Sequence, residues 1–365
     1  MEWNKIASHF RKFDWVLVLS ALLLVSFGLL SIWSSSLSKK EFFNFKKQIV
    51  FLVGGIFLMF LVSFFDLLVL KNNPYLILLF YFLSLLLLGG LFFVPEIRGV
   101  KGWYKIGPVS FDPIEITKLV LVILLAKYFS MRHIEMYRLR HIILSGIYVL
   151  IPACLIFLQP DLGSVLILVF LWISILIISG IRLRHFLILC LVLILIGIFS
   201  WFFLLKDYQK QRISAFLNPR VEPLGIGWSQ RQAKIAIGAG GIFGKGIGKG
   251  SQTQYGFLPE SQTDFIFAAI AEETGIIGVV ILLLLYCILI WRIIRIALFA
   301  KTNFFRFFAS GITVVLISQI FIHIGMNLGI LPIIGISLPF VSYGGSGLIS
   351  LFVGLGMLQS IKIRT

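Results

Sequence analysis

Long runs of apolar residues, separated by short polar segments, form the main pattern of this chain. A helix that crosses a lipid bilayer needs about 20 mostly apolar residues, and by that measure the pattern predicts about ten transmembrane helices. We place them near residues 14–33, 48–66, 74–94, 115–130, 141–158, 163–180, 185–205, 265–291, 305–329 and 342–361. The predicted fold is therefore an all-α polytopic membrane protein, a single domain over residues 1–365 with a long loop between the seventh and eighth helices.

Composition supports a membrane protein and narrows its partners. Hydrophobic residues make up 59% of the chain and charged residues 13%, whereas soluble domains carry about 25% charged residues. The net charge of +17 would suggest nucleic acid in a soluble protein. In a protein this apolar, it indicates anionic lipid headgroups or an anionic lipid-linked substrate instead.

The distribution of basic residues predicts the orientation of the chain. Loops on the N-terminal side of the membrane carry most of the lysines and arginines outside the two longest loops. Short basic loops stay inside, so both termini should be cytoplasmic. The extracytoplasmic segments are then about 95–118, 206–264 and 330–346. Most of the acidic residues lie on this same face, in these segments, in the 159–164 turn and just inside the eighth predicted helix. Charges of both signs beside lipid indicate either a site for a charged substrate or a solvated surface with balancing ion pairs.

The segment before the fourth predicted helix contains the first candidate residues. Glu115 and Lys118 are three residues apart and share one helical face at the edge of the bilayer. They could form a structural ion pair or contact a substrate. Trp103 could anchor the chain at the membrane interface or stack on a sugar ring.

Two glycine-containing turns follow. In the tight turn Gln159-Pro-Asp-Leu-Gly-Ser164, Asp161 is favoured as the N-cap of the sixth helix. The stretch from Gly238 to Gly250 lacks the Ser or Thr and the strand–loop–helix context of a nucleotide-binding loop. Its glycines and lysines could let backbone N–H groups approach a phosphate, or the stretch could be a flexible turn.

Carboxylates mark the start of the eighth predicted helix. Asp264 stands where a polar loop meets an apolar helix. It could stabilise the helix N-terminus, with Ser261 or Thr263 as the cap. An ionisable group this close to hydrocarbon is also a candidate for function. Glu272 and Glu273 lie deeper in the helix and need a partner, a cavity or a proton.

Together these segments resemble the SEDS family, the RodA, FtsW and SpoVE class of bacterial cell-wall proteins, over essentially the whole chain. The resemblance is carried by Asn218-Pro-Arg, Gln232-Ala, the glycine-rich stretch, Phe257-Leu-Pro-Glu through Glu272-Glu-Thr-Gly275, and Leu338-Pro-Phe-Val-Ser-Tyr-Gly-Gly-Ser346. Ile324-Gly-Met-Asn327 is most similar to the elongation member, RodA. The chain departs from the family at Asp112-Pro-Ile-Glu115, where Gln-Pro-Ser-Glu is usual, at Arg98, where a small polar residue is common, and at Gly347, where a second Ser is usual.

The resemblance implies an inverting peptidoglycan glycosyltransferase that polymerises lipid II into glycan strands during cell elongation. Catalysis would take place at the outer face of the bacterial cytoplasmic membrane. The catalytic aspartate of the family matches Asp264. We expect the substrate to contact Lys118, Glu115, Trp103, Arg98, Arg212, Lys245, Glu260, Gln159, Asp161, Ser342 and Ser346.

The resemblance also predicts partners and leaves two alternatives. The expected partners are a class B penicillin-binding protein transpeptidase and membrane proteins of the elongation machinery, and no nucleic acid. No cofactor is certain, although a divalent cation such as Mg²⁺ or Mn²⁺ could share in binding the leaving diphosphate; no metal-ligand motif is visible in the sequence. A lipid II flippase would also explain charged residues within apolar spans. The second alternative is a non-catalytic scaffold that holds a penicillin-binding protein in place.

Overall fold

The structure is a computed structural model that describes residues 9–95, 102–107, 109–132, 139–217 and 226–364. Its helices are α1 (Trp15–Lys39), α2 (Phe43–Phe64), α3 (Leu68–Asn72), α4 (Pro74–Gly90), α5 (Pro113–Arg132), α6 (Leu139–Leu158), α7 (Leu162–Ile178), α8 (Leu183–Phe203), α9 (Asp207–Leu217), α10 (Ile226–Gly240), α11 (Ser251–Gln254), α12 (Ile266–Phe299), α13 (Asn303–Leu328) and α14 (Gly345–Arg364). A 3-10 helix, Leu91–Phe93, extends α4. The predicted all-α fold is confirmed.

Each predicted span coincides with a helix of the structure. Within the described residues, eight helices are long and apolar enough to cross a membrane: α1, α2, α4 with its 3-10 extension, α6, α8, α12, α13 and α14. Helix α7 is apolar but has only 17 residues, and α5 carries charged residues at both ends. The chain is a multi-pass membrane protein. A total of ten spans, and the side of the membrane on which each loop lies, stay predictions.

The predicted extracytoplasmic segments contain regular structure. Segment 95–118 includes an antiparallel hairpin of β1 (Tyr104–Ile106) and β2 (Val109–Phe111), in which Tyr104 pairs with Phe111. Segment 206–264 is largely helical and contains α9, α10 and α11. The sequence pattern did not predict these elements, because short helices and strands on an aqueous surface lack a long apolar periodicity.

Helices α5, α12, α13 and α14 form the buried centre of the bundle. Helix α13 packs against α5, α7 and α12, while α14 packs along α2, and α12 packs along α1. The phenol of Tyr286, fully buried on α12, donates a hydrogen bond of 2.6 Å to the Pro339 carbonyl before α14. In contrast, α8 contains no buried residue, so it contributes little to positioning any polar site.

One polar network joins α1, α12 and α14 at the end of the bundle opposite Pro339. Asp14 caps α1 and forms an ion pair with Arg292 of α12 at 2.7 Å. The side chain of Gln359 on α14 bonds both the N–H and the carbonyl of Asp14, at 2.9 and 3.0 Å. A buried charge pair whose remaining groups are hydrogen-bonded keeps such helices in register.

Helix α12 is broken at Gly275, where φ is 67° and the helical hydrogen-bond ladder stops. The glycine-rich segment 241–246 replaces the missing bonds. Its carbonyls accept from Ile276 and Ile277, and its N–H groups donate to the carbonyls of Glu272 and Glu273, at distances of 2.9–3.2 Å. The N–H groups of Lys245 and Gly246 are therefore committed to α12, and the segment is neither a phosphate loop nor a free turn.

Glu272 and Glu273 both find partners within the protein. The Glu272 carboxylate is fully buried and accepts hydrogen bonds from the backbone N–H groups of Gln252 and Thr253, the hydroxyls of Ser251 and Thr253, and the ammonium of Lys245. Glu273 accepts from the Ser34 hydroxyl and the Gly248 N–H. These contacts tie segment 245–254 and α1 to α12, a structural role.

Candidate active site

A cavity of about 630 Å³ opens between the hairpin, α5, the start of α12 and the 334–348 segment. A volume of this size is typical of a small-molecule site. Its wall contains most of the residues predicted to act in the site, namely Trp103, Glu115, Lys118, Asp161, Arg212, Glu260, Asp264, Ser342 and Ser346. The structure therefore brings together residues from five separate parts of the chain.

Lys118 and Glu115 form an ion pair in the wall of the cavity. The Lys118 Nζ lies 2.6 Å from Glu115 Oε1, and only 4% of the lysine side chain is exposed. Pro113 begins α5, a position that suits proline because the first-turn N–H has no helical partner. The ion-pair interpretation is correct, and the same pair faces the cavity, so the two alternatives from sequence do not exclude each other.

Asp264 is held in place through its own backbone and that of its neighbours. The Asn327 side-chain amide donates to the Asp264 carbonyl at 3.0 Å, and the Ser342 hydroxyl donates to the Thr263 carbonyl at 2.9 Å. The Tyr343 N–H donates to the preceding carbonyl, that of Gln262, at 2.8 Å. Three consecutive carbonyls are thus fixed from α13 and the 338–346 segment, which leaves the Asp264 side chain at the cavity.

The N-terminus of α12 is capped differently from the prediction. Neither Ser261 nor Thr263 caps it; the N-cap position is Phe265, which makes no side-chain cap. Instead Asn327 Oδ1 accepts from the Ala268 N–H at 3.3 Å. This long-range partner, 59 residues away, could not be inferred from the local spacing of hydroxyl residues. Asn327 therefore both caps α12 and fixes Asp264.

Gly335 lies against the Asp264 carboxylate. Its φ is +75°, and a Cβ atom built on it would be 3.7 Å from Asp264 Oδ2. Glycine adopts this left-handed conformation without steric cost. The 330–344 backbone can therefore approach the carboxylate and form one wall of the cavity.

The 338–346 segment connects the two sides of the site. Ser342 Oγ accepts from the Leu338 N–H at 2.9 Å, and Gln48 of α2 bonds the Ser342 carbonyl and the Gly344 N–H. Ser346 Oγ accepts from the Asp112 N–H at 2.8 Å, just before α5. The segment thus sets the position of Asp264 relative to the Glu115–Lys118 pair. The Ser342 hydroxyl, predicted to bind substrate, donates its proton to the Thr263 carbonyl within the protein.

The remaining wall comes from the α6–α7 turn and α9. Asp161 caps α7, as predicted, accepting from the Ser164 N–H at 3.0 Å and the Ser164 hydroxyl at 2.6 Å. Arg212 lies 5.7 Å from the ring centroid of Tyr208, whose hydroxyl donates to the Pro160 carbonyl. These contacts fix the base of α9 beside the α6–α7 turn, with the Arg212 guanidinium at the cavity.

Comparison with known proteins places the chain in a family. The model of the FtsW/RodA/SpoVE cell cycle protein family matches residues 14–365. This chain belongs to that family. The match covers all the helices and every residue named in the cavity wall.

Individual relatives agree with the family assignment. The chain is 41% identical to the peptidoglycan glycosyltransferase MrdB of Escherichia coli K12 over 267 residues, 72% of this chain and 71% of that protein. It is 36% identical to stage V sporulation protein E of Bacillus subtilis, over 96% of both chains. It is 34% identical to the probable peptidoglycan glycosyltransferase FtsW of Haemophilus influenzae, over 99% of this chain and 93% of that protein.

Two solved structures have the same fold. One, described as the structural coordination of polymerization and crosslinking by a peptidoglycan synthase complex, is 32% identical with a TM-score of 0.83 and covers 96% of this chain and 97% of that chain. The other is the rod-shape-determining protein RodA of Thermus thermophilus, 30% identical with a TM-score of 0.70, covering 96% of both chains. The agreement extends over nearly the whole bundle.

Among the described residues, two of the predicted substrate contacts, Gln159 and Lys245, do not line the cavity. Gln159 is buried and donates to the Leu88 carbonyl at 2.7 Å. The Lys245 ammonium bonds the Ser251 hydroxyl at 2.6 Å and the Glu272 carboxylate at 3.4 Å. Arg98 lies outside the described residues, as does the Asn218-Pro-Arg motif.

The cavity also contains residues that the sequence did not single out as ligands. Lys105 and Thr263 line it, and so does Asp112. Trp103 directly precedes β1 and Lys105 lies within it, and both line the cavity. Predicting strand β1 from the sequence would have pointed to Lys105 as a cavity residue. A strand of three residues is too short for its alternating pattern to be recognised.

Asp112 has the most perturbed acid–base behaviour in the aqueous part of the site. Burial raises the pKa of its carboxyl to about 8, and the neighbouring Glu115 carboxylate adds to the rise. The Ile114 N–H and the Lys118 ammonium act in the opposite direction. Perturbed pKa values are typical of functional sites.

The described residues do not include a cluster of three or more His, Cys, Asp or Glu side chains arranged to hold a metal ion. The basic side chains in the cavity wall are Lys105, Lys118 and Arg212. They are the groups in this part of the chain that can neutralise an anionic substrate.

Proposed function

We propose that this chain polymerises lipid II into glycan strands at the outer face of the cytoplasmic membrane, with Asp264 as the general base. It is a peptidoglycan glycosyltransferase by its family and by the names of its relatives. The observation that carries the finer proposal is that Asp264 and the Glu115–Lys118 pair line one cavity. Displacement of a lipid diphosphate by a sugar hydroxyl requires a base for the hydroxyl and a cation for the leaving group, and both face this cavity.

In the proposed reaction, Asp264 takes the proton of the 4-hydroxyl of the acceptor sugar. The hydroxyl oxygen attacks the anomeric carbon of the donor, and the bond from that carbon to the diphosphate oxygen breaks. The lipid diphosphate leaves with the bonding electron pair, the new glycosidic bond forms with inversion, and the proton stays on Asp264. A positioned base typically contributes 10²–10⁴-fold, about 3–5 kcal/mol of the activation free energy.

Stabilising the departing diphosphate is the second large contribution. Charged donors in a water-poor site act more strongly than in bulk water. Lys118 and Arg212 are our candidates, since both line the cavity. Two other cations were considered from sequence, Lys245 and Arg98. Lys245 is paired with Glu272, and we assign it a structural role, while Arg98 lies outside the described residues.

Two finer proposals concern the cellular setting. Both termini lie in the cytoplasm, as the basic loops predict, so the cavity faces outward. The chain works with a class B penicillin-binding protein, the transpeptidase that crosslinks the strands, and with other membrane proteins of the elongation machinery. A solved relative described as a synthase complex that coordinates polymerization and crosslinking supports this partnership.

The flippase alternative loses its main support. Glu272 and Glu273 were the features that most favoured transport, and both are satisfied by backbone and side-chain donors. Transporter sites also lie near the middle of the bilayer, whereas the cavity here is formed by helix ends and loops. A scaffold alone would not need Asp264 and Lys118 in one cavity.

The test is incubation of the purified protein, with its penicillin-binding partner, with labelled lipid II in detergent. Without a bilayer, transport has no meaning, and polymerisation can still proceed. We expect glycan strands that a muramidase digests to disaccharide units. Lipid II that stays monomeric under conditions in which the E. coli relative makes polymer would contradict the proposal.

A further inference from the structure

Acidic side chains outnumber basic ones in the wall of the cavity. Among the described residues, three basic and five acidic side chains line it, so its formal charge would be −2 if all were ionised. The acidic members are Asp112, Glu115, Asp161, Glu260 and Asp264. The substrate of the proposed function carries a diphosphate, and like charges brought together in a partly desolvated cavity repel strongly.

Asp112 is the carboxyl best placed to relieve this repulsion. It stands directly before α5, where Oδ1 accepts from the Ile114 N–H at 2.9 Å and the backbone N–H donates to Ser346 Oγ. Its Oδ2 makes no hydrogen bond to another described residue. One carboxyl oxygen thus fixes the side chain and the other is available to a ligand in the cavity.

Burial, together with two neighbouring carboxylates, favours the neutral form of Asp112, and the Lys118 ammonium opposes it. On its own element, Glu115 and Lys118 follow it in α5, and Asp161 faces it from the start of α7. The hairpin and α9 bring the basic groups of Lys105 and Arg212 to the cavity. The segment before α12 brings two further carboxyl groups, those of Glu260 and Asp264. The adjoining residues 344–348 at the start of α14 contribute no charge.

We propose that Asp112 binds the lipid-linked substrate in its protonated form and donates a hydrogen bond from Oδ2 to an oxygen of the diphosphate. This inference rests on the proposed function and adds a binding residue to it. A protonated carboxyl has one donor, and a hydrogen bond to a charged acceptor is stronger than one between neutral groups. An ionised Asp112 would offer only acceptors and another negative charge.

The proposal predicts that substrate binding weakens at alkaline pH. Since the pKa of Asp112 is raised to about 8, the carboxyl is protonated at neutral pH and loses its proton above that value. If only the protonated form binds, the apparent KM for lipid II rises about tenfold between roughly pH 7 and pH 9. The replacement Asp112→Asn keeps an oxygen for the Ile114 N–H and is neutral at every pH. Its KM should equal that of the wild type near pH 7 and stay constant up to pH 9.

The control for charge removal is Asp207→Asn, at an exposed position in the first turn of α9 outside the cavity wall. It should show the wild-type rise in KM.

Binding of undecaprenyl diphosphate to Asp264→Asn protein, measured over the same pH range, separates recognition from catalysis. We expect the affinity to fall at high pH in that background and not in the Asp112→Asn/Asp264→Asn double variant. An unchanged alkaline rise of KM in Asp112→Asn would overturn this inference and leave the proposed function intact, whereas polymer made by Asp264→Asn at a rate within a few-fold of wild type would contradict the proposed general base.

Discussion

At the scale of single residues, the site depends on groups that serve structure and substrate together. Lys118 is paired with Glu115 and faces the cavity. Asn327 acts through the backbone carbonyl of Asp264, and Ser342 through that of the preceding residue. These roles give separate kinetic signatures, because losing a substrate contact changes KM, while misplacing a base changes kcat.

Replacing Lys118 by Ala should weaken use of lipid II. The change removes a cation from the cavity and leaves Glu115 as an unpaired carboxylate. Because a hydrogen bond to a charged group contributes about 1.5–3 kcal/mol, we expect KM to rise about 10–100-fold. Steady-state rates over a range of lipid II concentrations measure this. Lys118→Arg, which keeps the charge, should recover most of the affinity, and an unchanged dependence on lipid II would count against the role of Lys118.

Replacing Ser342 by Ala should lower kcat with little effect on KM. The Ser342 hydroxyl holds the Thr263 carbonyl and accepts from the Leu338 N–H. A displacement of about 1 Å at a reacting group can lower the rate about 100-fold. Ser342→Thr keeps the hydroxyl and should restore the rate. A rise in KM alone would instead assign Ser342 to substrate binding.

At the scale of elements, the sequence predicted the long helices and missed what joins them. Apolar runs located every long helix, and most of the predicted ends agree within about three residues, because a bilayer requires length and hydrophobicity. The largest difference is at the end of α12, which the structure extends to Phe299 and the prediction ended at 291. The glycine-rich segment is different. Its function is to complete the broken ladder of α12 at Gly275, a contact between distant parts of the chain that local pattern does not encode.

The same limit explains the outcome for the site residues. Asp264 and the Glu115–Lys118 pair could be found from charge at helix starts. Lys245 looked like a phosphate ligand because it lies among glycines, yet its partner is Glu272 in α12. The role of Asn327 depends on a side chain of α13 that reaches the start of α12. The spacing of residues along the sequence does not predict contacts between distant elements.

Two glycines of α10 provide a matched test of its packing on α12. A Cβ atom at Gly240 would lie 2.0 Å from the Ala271 carbonyl oxygen, whereas one at Gly238 would meet nothing within 4 Å. Gly240→Ala should therefore lower the midpoint of thermal unfolding, since overpacking typically costs about 1–3 kcal/mol. Gly238→Ala should be neutral or stabilise α10 by up to about 1 kcal/mol. Equal unfolding midpoints for the two variants would contradict the close packing of α10 on α12.

At the scale of the whole molecule, the proposed function requires an outward-facing cavity in a chain with cytoplasmic termini. The helices fix the cavity between the hairpin, α5, α12 and α14. Positive loops predict which side faces the cytoplasm. The prediction can be checked with single cysteines in a variant that lacks Cys154, Cys190 and Cys287.

Tyr255→Cys and Lys301→Cys form the pair for this check. Tyr255 is 76% exposed in the 206–264 segment, and Lys301 is exposed between α12 and α13. A membrane-impermeant maleimide should label the first in whole cells and the second only after the membrane is opened. The reverse pattern would place the cavity in the cytoplasm, where lipid II polymerisation could not build an external wall.

The central claim is that Asp264 is the base that activates the acceptor hydroxyl. The most direct measurement is the single-turnover rate of glycan formation from lipid II by purified Asp264→Asn protein, with its penicillin-binding partner, beside wild type and Asp207→Asn. Asn keeps the shape of the side chain and cannot accept the proton. We predict a loss of at least about 100-fold in rate, as for removal of a general base, with lipid II binding and thermal stability preserved and Asp207→Asn fully active. A rate within a few-fold of wild type for Asp264→Asn would contradict the account.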